Sequence, residues 1–336
     1  MKKRILSIDG GGMRGIVSAV LLQSLEEKLC EHSGNPKARI GDYFDLIAGT
    51  STGSILTVLY LFPNERGESK YSAREITQMY IDYGNYIFHR QWTYPFWGAK
   101  YTNKYFEEVL KSYFGESTLG ELRKPCLLTS YDITKRKAVF FNSVSGRADN
   151  YRNYMLRDAI LSSTAAPTYF PPTCLKARNS CYGCLIDGGV VANNPTLCAL
   201  IEGLKLPECK SLTDLMTVSV GNVKITKSYS YKKAKLWSLL NWAIPMFDII
   251  MDGSEQTVDY QMRLLYKSIN EPQDYIRMQL KTEESIPRMD DSSQEAVDVF
   301  LKFGYRLAEK EKATVDSLAR LLVREKHELR NTMQLL

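Results

Sequence analysis

Histidine is scarce in this chain: of its 336 residues only His32, His89 and His327 carry an imidazole. Any catalysis that needs an imidazole base must use one of these three. Long apolar runs are also missing. The run Ile55 to Phe62 is too short to cross a bilayer, and the few apolar residues after Met1-Lys2-Lys3-Arg4 are too short for a secretory leader. There is no internal repeat and no Gly/Ser-rich linker, so one domain spanning 1–336 is expected. The seven cysteines form an odd count in a chain too large to need staples. With no leader, they are expected to be reduced thiols of a cytoplasmic protein.

What is present fits an ordinary folded, soluble protein. Hydrophobic residues make up 44% and charged residues 24%. The net charge of +6 is dispersed. It permits contact with an anionic lipid surface but does not favour binding to a nucleic-acid polymer. Apolar strand-like runs alternate with amphipathic helical ones, which predicts an α/β fold: a central, mostly parallel sheet flanked by helices in three layers. The core motifs lie within 4–222. A basic insertion with Tyr and Trp follows at about 222–245, and a helical part runs to 336.

Three glycine-marked turns carry the chemistry. In Gly49-Thr50-Ser51-Thr52-Gly53 a serine sits at a strand-to-helix joint, the pattern of a nucleophile elbow. A Ser/Thr-rich helix cap would read similarly. The stretch Asp9-Gly10-Gly11-Gly12-Met13-Arg14-Gly15 also joins a strand to a helix, and its glycines let N–H groups converge on an anion. That can serve as an oxyanion hole or cradle a phosphate. Gly10, Gly12 and Gly15 match a dinucleotide fingerprint, but the next strand ends in the serine turn rather than in an acidic residue for a ribose. Ile16 stands where a phosphate-binding loop needs lysine.

The third turn is Asp187-Gly188-Gly189. An aspartate can replace histidine as the base for a serine if it touches the hydroxyl in a partly desolvated site. His89 is the candidate for a His-based triad, because His32 and His327 read as solvated surface residues.

The motifs DGGGMRG, GTSTG and DGG, in this order and at strand ends, resemble the patatin-like phospholipase family. SSTAAPTYFPP (Ser162 to Pro172), DYIRMQL and PRMDDSSQEAVDVFLKFG extend the resemblance over most of the chain. It implies a Ser–Asp dyad with Ser51 as nucleophile and Asp187 as base. Gly11 and Gly12 would donate to the oxyanion, and Arg14 would hold the loop or meet a substrate phosphate. No metal and no cofactor are implied. The expected reaction is hydrolysis of acyl esters of membrane phospholipids through an acyl-enzyme, by a protein acting peripherally at the membrane. An acyltransferase, or a storage protein with a vestigial site, is the alternative. Some bacterial members are effectors switched on by cyclic dinucleotides in anti-phage signalling, so such an activator is a candidate ligand.

Three segments carry weaker signals. The aromatic stretch Tyr86 to Phe106 reads as packing or as a lid. In Lys224 to Trp237, five lysines interleave with Tyr229, Tyr231 and Trp237. A solvated loop, an anionic-membrane contact and a phosphate-ligand pocket are all compatible with it. Cys174, Cys181 and Cys184 would need Cys198 or Cys209 to complete a zinc site; a disulfide or unpaired thiols are the simpler reading.

Overall fold

Strand β1, Lys3–Ile8, is buried from Arg4 onward, as a strand covered on both faces must be. Its side chains alternate: Leu6 and Ile8 join the larger apolar core, while Ile5 joins a second core on the opposite face. The computed structural model describes residues 2–88, 98–177, 180–226 and 229–334. The further strands are β2 (Leu46–Gly49), β3 (Cys126–Asp132), β4 (Lys137–Asn142), β5 (Thr173–Ala177), β6 (Ser180–Asp187), β7 (Leu215–Ile225) and β8 (Tyr275–Thr282). They form one sheet in the order β5-β6-β3-β2-β1-β7-β8, with β4 also paired to β3.

The sheet is mixed. The centre, β3-β2-β1-β7-β8, is parallel, as expected. The flank built from β4, β5 and β6 is antiparallel. Its hairpin-like connections carry no helical period, so the sequence pattern alone reads as more uniformly parallel than the fold is.

Helices cover both faces. They are α1 (Gly15–Ser33), α2 (Thr52–Leu61), α3 (Ala73–Ile87), α4 (Asn103–Phe114), α5 (Ser143–Ala148), α6 (Leu156–Thr164), α7 (Gly189–Ala192), α8 (Thr196–Gly203), α9 (Tyr231–Ala234), α10 (Leu239–Ser268), α11 (Gln294–Lys310) and α12 (Lys312–Gln334). Residues of α1, α2, α3, α4, α6, α11 and α12 build the larger core, and α8 and α10 cover the other face. Three layers result. Ser293 caps α11 by accepting from Ala296 N–H, as the Asp-Asp-Ser-Ser signal predicts.

Three sequence expectations are corrected. The core does not end at 222, where the basic insertion was expected to begin: β7 runs on to Ile225, through a register shift between Val220 and Val223. The first residues of the basic insertion are therefore strand. His32 is not a solvated surface residue: its Nε2 lies 2.8 Å from Asp316 Oδ1, and its side chain, only 14% exposed, ties α1 to α12. Cys174 is disulfide-bonded, so not every thiol is reduced. Cys184, Cys198 and Cys209 are free, and the Cys181 side chain lies outside the described residues. Among the described residues no cluster of His, Cys, Asp or Glu is arranged to hold a metal.

Candidate active site

The serine turn is forced into its shape by contacts on every side. Ser51 adopts φ 52° and ψ −121°, a conformation costly for any residue with a Cβ, by roughly 1–3 kcal/mol. Its N–H donates to Ser163 Oγ at 3.0 Å, and its carbonyl accepts from Ser54 Oγ at 2.6 Å and Ser54 N–H at 2.8 Å. Thr50 Oγ1 donates to Ala192 O at 2.6 Å, fixing the residue before it. The flanking glycines leave no alternative. A Cβ on Gly49 would lie 2.1 Å from Gly53 O, and one on Gly53 would lie 2.2 Å from Ile8 O.

Asp187 reaches this turn because of the antiparallel flank. β4 occupies one edge of β3 along Leu127 to Asp132, so β2 and β6 must share the other edge. β2 pairs with Cys126 to Leu128, and β6, running the opposite way, pairs with Ser130 to Asp132. The two C-terminal ends therefore meet head to head, Gly49 opposite Leu128 and Asp187 opposite Ser130. Asp187 is 2% exposed. Its Oδ1 accepts from Gly189 N–H at 2.6 Å, and its own N–H donates to Ala165 O at 2.9 Å. Burial pushes its carboxyl up to about 6, while a hydrogen bond from the Ser51 hydroxyl and the Gly189 N–H pull the other way. It is thus a stronger base than a solvated aspartate, yet still mostly ionised at neutral pH.

The C-terminal end of α6 supports both residues. The Ser163 hydroxyl accepts from Ser51 N–H, and the Ser163 carbonyl accepts from Gly188 N–H at 3.2 Å. His89 lies outside the described residues. His327 is exposed on α12, and His32 is committed to Asp316.

The glycine loop after β1 sits beside Ser51 and is pinned at both ends. Gly10 N–H donates to Asn193 O at 3.0 Å, Asn222 Nδ2 donates to Gly10 O at 2.8 Å, and Met13 N–H donates to Met289 O at 2.8 Å. Among the described residues, the N–H groups of Gly11 and Gly12 have no protein acceptor. Gly12 has φ +57°, and a Cβ there would lie 2.3 Å from Met289 O. Two free N–H groups beside a serine hydroxyl are what an oxyanion needs. Arg14 does not face the same space: it lines a second cavity on the far side of the loop.

One feature escaped sequence reasoning. Asp9, the residue before the glycines, is fully buried and paired with Arg277 of β8. The guanidinium donates from Nη1 to Oδ1 at 2.9 Å and from Nη2 to Oδ2 at 2.5 Å. Burial alone would raise the Asp9 carboxyl, and the Arg277 charge opposes that. This pair fixes the root of the glycine loop to the far side of the sheet. The partners are 268 residues apart, so no local spacing signals them.

Ser51, Asp187, Gly11 and Gly12 open onto a deep apolar cavity between α2, α3, α4 and α6. Its walls include Ile55, Leu59, Met79, Phe106, Leu110 and Phe114, and the space left empty, open mouth included, is about 1050 Å³. Phe88, Tyr101, Phe106 and Phe170 contact one another ring to ring along one side. The aromatic stretch therefore supplies cavity wall at its described ends, while its middle, 89–97, lies outside the described residues. A nucleophile, a base and oxyanion donors at the mouth of an apolar cavity can cleave an ester of a long acyl chain.

Comparison with known proteins agrees. The family described as Patatin-like phospholipase matches residues 6–200. Patatin-like protein 2 of Oryza sativa subsp. indica is 32% identical over 345 residues, covering 93% of this chain and 85% of its own length. Patatin-like protein 1 of Arabidopsis thaliana is 30% identical over 334 residues, covering 90% and 80%. Probable inactive patatin-3-Kuras 1 of Solanum tuberosum is 32% identical over 292 residues, covering 82% and 78%, so activity has to be argued from the residues themselves. The chain belongs to the patatin-like phospholipase family of lipid acyl hydrolases.

Proposed function

We propose that this protein is a phospholipase A that releases fatty acids from membrane phospholipids through a Ser51–Asp187 dyad. The observation that carries the reading is the placement of both residues at the mouth of the apolar cavity, beside the free Gly11 and Gly12 N–H groups. Ser51 Oγ attacks the ester carbonyl as Asp187 takes its proton. The carbonyl oxygen, now negative, is held by the N–H groups of Gly11 and Gly12. Collapse breaks the bond to the glycerol oxygen, which leaves with the proton from Asp187. Water, deprotonated by the same carboxylate, then attacks the acyl-enzyme and frees the fatty acid and Ser51. No step calls for a metal or cofactor.

The protein would act in the cytoplasm, peripherally at the membrane, through the exposed stripe Trp242, Met246, Ile249 and Ile250 on α10, spaced at one helical face. Lys232 and Lys235 stand exposed just before it, suited to anionic headgroups. The stripe belongs to the helix whose Met251 lines the catalytic cavity, so docking would bring the mouth to the lipid. No helix among the described residues is long and apolar enough to cross a membrane.

Activation by a cyclic dinucleotide in anti-phage signalling is a second reading. It draws on three residues in the lining of the second cavity, Lys224, Tyr229 and Trp237. The test of both is fatty-acid release from mixed phospholipid vesicles, with and without a panel of cyclic dinucleotides, against Ser51→Ala. Release by the wild type alone without nucleotide supports a constitutive phospholipase. Release only with nucleotide supports the effector. Release that persists in Ser51→Ala rejects the dyad.

A further inference from the structure

The second cavity lies against the back of the glycine loop. It is lined by Arg14, Asn193 and Asn222 on the loop side and by Asp248 and Asp252 of α10 opposite. Gly11, Met251 and Met289 line both this cavity and the apolar one, so the two spaces meet at the oxyanion donors. Open mouth included, about 1390 Å³ is empty. In a phospholipid only a few bonds separate the scissile carbonyl from the phosphate. An ester seated at Gly11 and Gly12 with its acyl chain in the apolar cavity must therefore place its headgroup near this second space.

The cavity holds polar groups that the protein leaves unsatisfied. Lys224 Nζ is buried, with a side chain 10% exposed and no hydrogen-bond partner; Asp252 Oδ1 and Glu255 Oε1 each lie 3.6 Å away. Arg14 Nε and Asn193 Oδ1 are likewise buried without a partner. Lys224 Nζ and Arg14 Nε are donors and call for an acceptor that a ligand would bring, while Asn193 Oδ1 is an acceptor and calls for a donor. The opposite wall carries the other sign. Glu255 is occupied, accepting from Gln279 at 2.7 Å and lying 3.3 Å from Arg277 Nη2. Asp248 and Asp252 are less committed: among the described residues Asp252 pairs with Lys224 at 3.6 Å and Asp248 has no ion pair. Tyr229 and Trp237, both in the lining, set their rings 5.2 Å apart at 81°, an aromatic corner suited to an alkylammonium.

We propose that this cavity is the headgroup subsite and that it selects a zwitterionic phospho-amine headgroup. The phosphodiester would meet Lys224 and Arg14, and the ammonium would meet Asp248, Asp252 and the Tyr229–Trp237 corner. A ligand with only negative charge, a cyclic dinucleotide included, would set its phosphates against the carboxylates of Asp248 and Asp252. A ligand with only positive charge would face Lys224 and Arg14. The inference rests on the phospholipase reading, and its test separates the two.

The test compares kcat/KM on phosphatidylcholine, phosphatidylglycerol and diacylglycerol, at equal mole fraction in neutral detergent micelles, with p-nitrophenyl decanoate as a headgroup-free ester. The wild type is expected to favour phosphatidylcholine over the other two lipids by about tenfold. Asp248→Asn/Asp252→Asn should bring the choline-to-glycerol ratio close to one, and the single exposed change Asp248→Lys should move it the same way. Hydrolysis of p-nitrophenyl decanoate by the wild type with equal rates on all three lipids would overturn the subsite and leave the hydrolase standing. A ratio unmoved by either variant would also overturn it, as would tighter binding of a cyclic dinucleotide to Asp248→Asn/Asp252→Asn coupled to activation. No hydrolysis of any ester would overturn the phospholipase reading beneath it.

Discussion

Two cavities meet at one loop, and they are built from opposite chemistry. The catalytic cavity is walled by side chains such as Leu59, Leu110 and Phe114 and has Ser51 and Asp187 at its rim. Its neighbour carries Arg14, Lys224, Asp248 and Asp252, with buried donors left without acceptors. Residues 10–14 and 289–290, with Met251, form the boundary. The contrast teaches how an ester can be oriented: the apolar side accepts an acyl chain at little cost, while the charged side offers nothing to one. A phospholipid, apolar at one end of its ester and ionic at the other, matches both at once.

The comparison can be broken most severely at the boundary itself. Ser51→Ala should lower fatty-acid release by about 10⁴-fold or more, and Asp187→Asn by a comparable amount, both measured in a continuous fatty-acid assay. The fold should survive each change by circular dichroism.

Next in size is Gly53→Ala. Its Cβ would fall 2.2 Å from Ile8 O, which is backbone and cannot swing aside. The predicted result is a stability loss of about 1–3 kcal/mol or more in urea unfolding, with activity lost alongside.

Asp187 supplies a prediction that separates catalysis from stability. Its folded carboxyl sits at about 6, against 3.8 for the free group. Burial therefore favours its protonated form. The stability this gives is fully present below pH 3.8 and is lost as pH rises to about 6 and above. At pH 8 the native protein carries the cost of a buried charge, of about 2–3 kcal/mol. Asp187→Asn, inactive, should accordingly melt higher than wild type at pH 8, and the difference should shrink toward pH 4.

Smaller effects sharpen the contrast between the two spaces. Ile55→Phe narrows the apolar cavity one turn beyond Ser51 and should shift preference toward shorter acyl chains by several-fold. The choline-to-glycerol ratio should stay where it was. Ile249→Asp with Ile250→Asp should weaken sedimentation with anionic vesicles by about tenfold, since two apolar contacts are exchanged for charges of the wrong sign.

Much of the catalytic half was legible in the sequence because its demands are local. A tight strand-to-helix turn needs Gly49 and Gly53 within four residues, and backbone contact through Gly12 needs no Cβ. Such needs leave glycine patterns that can be read. The Asp9–Arg277 pair left none, because the sheet brings β1 and β8 to opposite sides of β7 and the ion pair forms across it. The head-to-head meeting of β2 and β6 was equally hidden. It depends on β4 filling one edge of β3, which is a fact of pairing and not of composition. The same holds for Arg14, expected to hold the loop or meet a substrate phosphate: that it lines the charged cavity is a fact of the fold and not of the motif.

The pH profile of kcat/KM on phosphatidylcholine, measured from pH 4 to 9 for wild type, Asp187→Asn and His89→Ala, tests the dyad most directly. The account predicts that activity rises through an apparent pKa near 6 and then levels off. His89→Ala should keep that profile, and Asp187→Asn should lose turnover at every pH. An active Asp187→Asn together with an inactive His89→Ala would contradict it and assign the base to the histidine.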